Sequence, residues 1–147
     1  MRRALFAGTF NPFTIGHADI VKRGLELFDE VVIAIGDNID KPSADIDKRL
    51  QTIRSVYKDE PRVRVEVYHS LTVDYARKIG TSVLLRGVRS VADFEYERQM
   101  ADANRALAGI DTVVLFTRPE LGYISSSLVR DLQKHGADVG QLIVNNE

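Results

Sequence analysis

The feature that most constrains this chain is a fivefold alternation of short, β-branched apolar runs with longer segments of helical spacing. Near-continuous apolar runs are typical of strands buried on both faces, as in a sheet covered by helices. The alternation therefore predicts a doubly wound α/β domain in which right-handed helical crossovers join five parallel strands. The predicted strands are Arg3 to Phe6, Val31 to Ile35, Val63 to Val67, Val83 to Arg86 and Thr112 to Phe116. The predicted helices are roughly Gly16 to Phe28, Asp47 to Tyr57, Thr72 to Ile79, Val91 to Leu107 and Ser125 to His135.

Length and composition narrow the class of protein. A chain of 147 residues with 44% hydrophobic content suits one domain, spanning 1–147, with a sizeable core. Lys and Arg total 20 against 21 Asp and Glu, so the net charge of -1 gives no general attraction to nucleic acid or to an anionic membrane. The absence of cysteine excludes disulfides, zinc-thiolate sites and thiol catalysis. No apolar stretch approaches the ~20 residues of a membrane span, and we expect a cytoplasmic protein.

The first candidate site is the run from Ala7 to His17, directly after the first predicted strand. A glycine turn between a strand and a helix leaves backbone N–H groups, and the positive end of the helix dipole, directed at one spot that suits a phosphate. Gly8 permits close approach, Thr9 adds a hydroxyl, and His17 adds an imidazole donor for an oxygen with developing charge. The alternative is an ordinary strand-to-helix turn with a histidine on the helix surface.

The second candidate site is the block from Leu85 to Glu97, again where an apolar strand passes into a helix. Arg86 and Arg89 bracket Gly87 and can present planar donor forks to a triphosphate. Asp93 and Glu97, on the helix that follows, can hold these arginines or a metal, although helical carboxylates are more often surface groups. The alternative interpretation is a solvated pair of charges at a turn, but the carboxyl ends of the strands are where such sheets bind ligands.

The third candidate site is the segment from Gly122 to Ser127, at the start of the last predicted helix. One of the three serines can cap the helix, which leaves a hydroxyl and backbone N–H groups for a phosphate. Simple capping is the competing interpretation. Lys41 lies in a loop predicted over 36–46, rich in Asp, Asn, Pro and Ser and expected to be mobile, from which a cation can reach a leaving group.

These residues favour chemistry by positioning and charge stabilisation. Of the three histidines, His17, His69 and His135, only His17 lies in a motif, and no arrangement of serine, histidine and acid for covalent catalysis is visible. Phosphoryl and nucleotidyl transfer need mainly positioning and electrostatic stabilisation.

With these motifs, the chain closely resembles the bacterial phosphopantetheine adenylyltransferases of the nucleotidyltransferase superfamily, over essentially its whole length. The most specific parts are Gly8 to Pro12 with Gly16-His17, Arg86 to Arg89 with Asp93 to Glu97, and Ile124 to Ser127. The resemblance implies a Rossmann-like fold and reversible transfer of AMP from ATP to 4′-phosphopantetheine, giving dephospho-coenzyme A and pyrophosphate, by direct in-line attack with Mg2+. The family assembles as hexamers, so the resemblance also implies a homohexamer.

The resemblance also implies site residues, matched position by position. The implied catalytic residues are His17, Thr9, Lys41 and Arg89. The implied ATP-binding residues are Gly8, Phe10, His17, Gly87, Arg89, Glu97, Tyr123, Ser125, Ser126 and Ser127. The implied residues for 4′-phosphopantetheine are Thr9, Lys41, Leu71, Thr72, Arg86, Met100 and Asn104, and no residue is assigned as a metal ligand.

Some features depart from the family pattern or stay open. Asn11 stands where aspartate is usual, Ala7 stands where proline is common, and Ser43 to Asp47 differs from the usual sequence after Lys-Pro, which puts the reach of Lys41 in doubt. The tail, 136–147, has weak periodicity that allows one short helix. A nucleotidyltransferase with another acceptor and a non-catalytic nucleotide-binding module are the two rival interpretations.

Overall fold

The computed structural model describes residues 1–37, 40, 43 and 45–144. It contains one five-stranded parallel sheet with the strand order β3-β2-β1-β4-β5. The strands are β1 (Arg3–Gly8), β2 (Glu30–Gly36), β3 (Val63–Tyr68), β4 (Val83–Val88) and β5 (Asp111–Phe116). The helices are α1 (Ile15–Leu27), α2 (Ile46–Val56), α3 (Thr72–Lys78), α4 (Val91–Ala108) and α5 (Ser126–Lys134). The prediction of a doubly wound parallel sheet is confirmed, with each element ending within about two residues of its predicted bounds.

The strand order creates a switch point at the centre of the sheet. The chain runs outward from β1 through β2 to β3, then returns to place β4 on the other side of β1. In sheets of this kind, ligands bind outside the carboxyl ends of the strands where the winding direction reverses. The glycine turn after β1 and the arginine block at the end of β4 therefore flank the same crevice.

The buried strands β1 and β2 separate two apolar layers. Alternate residues point to opposite faces of a strand, so Ala4 and Phe6 pack with α1 and α2, whereas Leu5 and Ala7 pack with Tyr75 of α3. Such double burial explains the unbroken apolar runs in the sequence. No helix in the described ranges is long and apolar enough to cross a membrane.

The sequence left one short helix possible in the tail, and residues 136–144 form none. Gly136 has a φ of +81°, and the chain then lies against the start of α1. There, Ile143 forms an antiparallel bridge with Thr14, and Ile15 donates its N–H to the Leu142 carbonyl at 3.0 Å. Tertiary pairing with the backbone beside α1, which local periodicity does not encode, explains the difference.

Candidate active site

Residues of all three sequence motifs line one crevice at the carboxyl ends of β1 and β4. Its volume is about 390 Å³. It lies at the switch point, as the strand order requires. The predicted site residues that line it are Gly8, Thr9, Phe10, His17, Arg86, Gly87, Arg89, Glu97, Ser125, Ser126 and Ser127.

His17 is held at the floor of this crevice by the cap of its own helix. The Thr14 hydroxyl accepts from the backbone N–H of His17 at 3.2 Å, and the Thr14 backbone N–H donates to Nδ1 of His17 at 3.0 Å. Together they form a capping box in which histidine takes the place that Glu or Gln usually has. A backbone N–H can only donate, so Nδ1 accepts and the neutral ring carries its proton on Nε2.

The surroundings of the His17 ring favour this neutral form. The ring stacks on Phe13 at 5.5 Å and meets the ring of Phe10 edge-on at 5.0 Å. Burial, followed by the positive charges of Arg86 and Arg89, lowers the pKa of His17 to about 4. At neutral pH the imidazole is therefore a neutral hydrogen-bond donor through Nε2.

Arg86 lines the crevice and is held there by three hydrogen bonds. Its Nε and Nη2 donate to the two carboxylate oxygens of Glu97 at 2.9 and 2.6 Å, and Nη1 donates to the Ala7 carbonyl at 2.6 Å. Burial would lower the pKa of Arg86, but the hydrogen bonds and charge of Glu97 raise it, so the guanidinium stays charged. Both oxygens of Glu97 are engaged by Arg86, so in this structure Glu97 orients the arginine.

Arg89 lies between β4 and α4 and pairs with Asp93, which lies one turn before Glu97 on α4. Its Nε lies 3.3 Å from Asp93 Oδ2, and its backbone N–H donates to the same oxygen at 3.1 Å. The Arg89 side chain is more exposed than that of Arg86, at 38% against 32%, and borders the crevice. The two carboxylates of α4 thus hold the two arginines, which is one of the two uses that the sequence left open for them.

The three serines at the start of α5 have different surroundings. Ser125 caps the helix and accepts from the Leu128 N–H at 3.1 Å, whereas the Ser126 hydroxyl donates to the Pro12 carbonyl at 2.8 Å. The backbone N–H groups of Ser126 and Ser127 precede the first intrahelical bonds of α5 and border the crevice. Ser126 can therefore offer an anion its backbone N–H, but its hydroxyl proton is already used.

A second cavity, of about 610 Å³, lies beside the first. The predicted 4′-phosphopantetheine residues that line it are Leu71, Thr72, Arg86, Met100 and Asn104. Its walls are mainly apolar, and they include the Tyr68 and Thr72 hydroxyls, which lie 2.8 Å apart. The two cavities share Ala7, Gly8, Arg86, Tyr96 and Glu97 as walls, so they meet at Arg86.

One predicted residue within the described ranges does not line either cavity. Tyr123 is 62% exposed and does not border either cavity. Lys41 lies outside the described residues.

Arg130, Tyr68 and Tyr96 are among the lining residues that the sequence did not predict. Arg130 borders the first cavity, Tyr68 borders the second and Tyr96 borders both. Arg130 lies three residues after Ser127 on α5, so helical spacing could have placed it on the same face. Tyr68 ends β3 at the ligand-binding edge, which could have marked it as well.

The donor set does not form a protein cage for a metal ion. Across 1–37, 40, 43 and 45–144, no three His, Cys, Asp or Glu side chains group closely enough to hold one. The carboxylates nearest the crevice, Asp93 and Glu97, are engaged by arginines. A divalent ion here would depend on ligand phosphates and water for most of its coordination.

A parallel sheet with cationic and N–H donors at its switch point defines a nucleotide-binding α/β protein. In agreement, the family model described as "Cytidylyltransferase-like" matches residues 5–132. The chain is 53% identical over 144 residues to the phosphopantetheine adenylyltransferase of Bacteroides fragilis, which covers 97% of this chain and 96% of that protein. The phosphopantetheine adenylyltransferase of Flavobacterium johnsoniae is 47% identical over 97% of this chain and 95% of that protein. The chain therefore belongs to the phosphopantetheine adenylyltransferase family.

Solved structures of more distant proteins share the fold. A bifunctional NMN adenylyltransferase/ADP ribose pyrophosphatase from Francisella tularensis superimposes with a TM-score of 0.72 at 19% identity. The match covers 100% of this chain but 46% of that one, so this chain spans less than half the length of the bifunctional protein. A lipopolysaccharide core biosynthesis protein from Thermoplasma volcanium GSS1 matches with a TM-score of 0.56 at 20% identity, over 80% of this chain and 97% of that one.

Proposed function

We propose that this protein reversibly transfers AMP from ATP to the phosphate of 4′-phosphopantetheine, giving dephospho-coenzyme A and pyrophosphate. The observation that carries the proposal is the pair of cavities that meet at Arg86, one lined by phosphate-binding groups and the other mainly apolar. ATP suits the first, and an acceptor with a long arm and a terminal phosphate suits both the second cavity and the shared arginine.

The proposed chemical step is one in-line displacement at the α-phosphorus of ATP. An oxygen of the acceptor phosphate forms a bond to that phosphorus as its bond to the bridging oxygen breaks, and pyrophosphate leaves with the bonding electrons. Nε2–H of His17 donates to a non-bridging α-phosphate oxygen, whose charge grows in the transition state. Because the ring is neutral, it stabilises this charge as a dipole and need not transfer its proton.

The other predicted residues have binding roles in this proposal. The Thr9 hydroxyl and Arg86 place the acceptor phosphate, with Arg86 held in place by Glu97. Arg89 and the N–H groups at the start of α5 bind the β- and γ-phosphates, and the released pyrophosphate remains bound there until it dissociates. Lys41 is proposed to neutralise phosphate charge from the loop after β2.

Magnesium is proposed as a companion of the triphosphate. When bound, it would reduce the phosphate charge, but the described residues offer no closed set of ligands for it. We therefore propose that ATP oxygens and water would coordinate it.

Exposed apolar side chains support a proposal of self-association. Val91 is 77% exposed, Leu107 86% and Phe116 67%. Because two of these residues lie on α4, we propose that this helix contributes to the homohexamer that the family resemblance implies. Light scattering after size-exclusion chromatography tests this proposal, and a monomer at micromolar concentration contradicts it. The cytoplasmic location expected from the sequence stays a prediction.

The reverse reaction tests the proposed activity. Dephospho-coenzyme A and pyrophosphate, with Mg2+, should yield ATP, detected by a coupled light-emitting assay. An enzyme specific for another acceptor forms no ATP from dephospho-coenzyme A, and a non-catalytic module binds ATP, raising its melting temperature, without turnover in either direction.

A further inference from the structure

Arg49 connects α2 to the turn that carries Thr9. Its Nη1 donates to the Thr9 carbonyl at 3.0 Å, across 40 residues of sequence. On its other side, Nη2 donates to Asp45 Oδ1 at 2.8 Å and to the Ser43 hydroxyl at 3.1 Å. One planar guanidinium thus bridges the turn after β1 and the segment before α2.

A contribution to folding stability does not by itself explain why the Arg49 side chain is buried here. Its side chain is only 10% exposed, and its Nε is buried with no partner among the described residues. Burying a charged donor without a full set of partners opposes folding. This unfavourable burial is accompanied by a directed interaction, the hydrogen bond from Arg49 to the Thr9 carbonyl.

The turn itself needs bonds from outside. Phe10 has a φ of +48°, a left-handed conformation that is unfavourable for a bulky residue. Neighbouring carbonyls accept from side chains of other elements: Asn11 from Arg130 Nη1 at 2.6 Å, and Pro12 from the Ser126 hydroxyl. These two donors belong to α5, whereas Arg49 alone of the three comes from α2 and holds the Thr9 end.

We infer that Arg49 is a positioning residue for the proposed reaction, holding the Thr9 peptide so that the Thr9 hydroxyl is directed at the acceptor phosphate. Thr9 follows Gly8, whose missing side chain leaves the peptide few local constraints. The hydrogen bond from Arg49 to the Thr9 carbonyl supplies one such constraint. The inference rests on the proposed function, because the Thr9 hydroxyl has this use only if the acceptor is a phosphate.

A double-mutant cycle tests the inference. Arg49→Met, which keeps the side-chain length without the donors, is compared with Thr9→Ala and with the double variant in steady-state kinetics. Loss of positioning should lower the kcat of Arg49→Met about 10-fold or more, with a smaller change in the KM for ATP. Arg49→Lys should recover part of the lost kcat. In the Thr9→Ala background, Arg49→Met should have little further effect, because the hydroxyl that it positions is gone.

The control is Arg54→Met on the same helix. Arg54 also bonds a backbone carbonyl, that of Val65 at 3.0 Å, and a carboxylate, that of Glu66 at 3.2 Å, but it lines neither cavity. Its kcat should stay within twofold of wild type. Multiplicative losses in the cycle, or equal losses in Arg49→Met and Arg54→Met, overturn the inference.

The proposed function and the inference can fail separately. If wild-type protein does not turn over 4′-phosphopantetheine, the proposed function fails. The amide NMR resonances of Thr9 and Phe10 then decide the positioning, since Arg49→Met should shift them and Arg54→Met should not. Unchanged Thr9 and Phe10 resonances in Arg49→Met overturn it.

Discussion

The backbone N–H of Thr14 donates to Nδ1 of His17 at 3.0 Å, and this bond fixes which ring nitrogen carries the proton. The three-residue spacing from cap to ring makes the arrangement local, so it forms with the first turn of α1. It directs Nε2–H toward the crevice, where the proposed reaction needs a donor.

His17→Ala should lower kcat by about 10²-fold or more, because it removes a donor to charge that develops only in the transition state. The KM for ATP should change less. Pyrophosphate release under saturating substrates measures the effect, with His135→Gln, an exposed position, as the control. An unchanged kcat combined with weaker ATP binding contradicts the role.

His17 should titrate far below an ordinary histidine. Its folded pKa of about 4 lies below the usual 6.5, so between these values the unfolded chain binds more protons than the folded one. The stability that depends on neutral His17 is therefore complete above pH 6.5 and is lost as pH falls toward 4. NMR titration of its ring protons, assigned by comparison with His17→Gln, gives the value directly, and a midpoint near 6.5 is the contrary result.

Glu97→Gln should misplace Arg86. The amide keeps the size of the side chain but removes the negative charge and one acceptor oxygen from the paired guanidinium. We expect about a 10-fold higher KM for 4′-phosphopantetheine and a loss of about 1–3 kcal/mol in unfolding free energy. Glu95→Gln, at an exposed position of the same helix, is the control. Equal KM values in the two variants would show that Arg86 does not need Glu97.

Arg89→Ala should mainly weaken phosphate binding. Its guanidinium lies at the border of the first cavity, and the charge it offers to a triphosphate is present in both ground and transition states. The KM for ATP should rise more than kcat falls, and the rise should shrink at high salt. Arg98→Ala, whose exposed partner is Asp102 at 3.8 Å, provides the comparison. Unchanged KM values for both substrates count against the role.

The local sequence pattern predicted most of the fold and the positions of the motifs. The unbroken apolar runs of β1 and β2 indicated burial on both faces, and the glycine turn and the Arg86 block each followed a strand, which placed both at one edge. The predictions of fold and family are confirmed. The assigned roles of individual site residues stay predictions.

The features that the sequence did not predict depend on contacts between segments that are far apart along the chain. Arg49 and Arg130 lie on different helices, and only the folded chain brings them to two carbonyls of one turn, those of Thr9 and Asn11. Likewise, the sequence offered Ser126 as a hydroxyl for phosphate, but the proximity of Pro12 uses its proton. The path of the tail was set by pairing with Thr14, for which periodicity carries no signal.

The central claim is best tested by identifying the product of the forward reaction. Purified protein is incubated with ATP, Mg2+ and 4′-phosphopantetheine, beside mixtures with nicotinamide mononucleotide and with CTP and a phospho-alcohol, and each product is identified by mass. The proposal predicts pyrophosphate and dephospho-coenzyme A from the first mixture alone. Product only with another acceptor, or none in any mixture despite ATP binding, contradicts it.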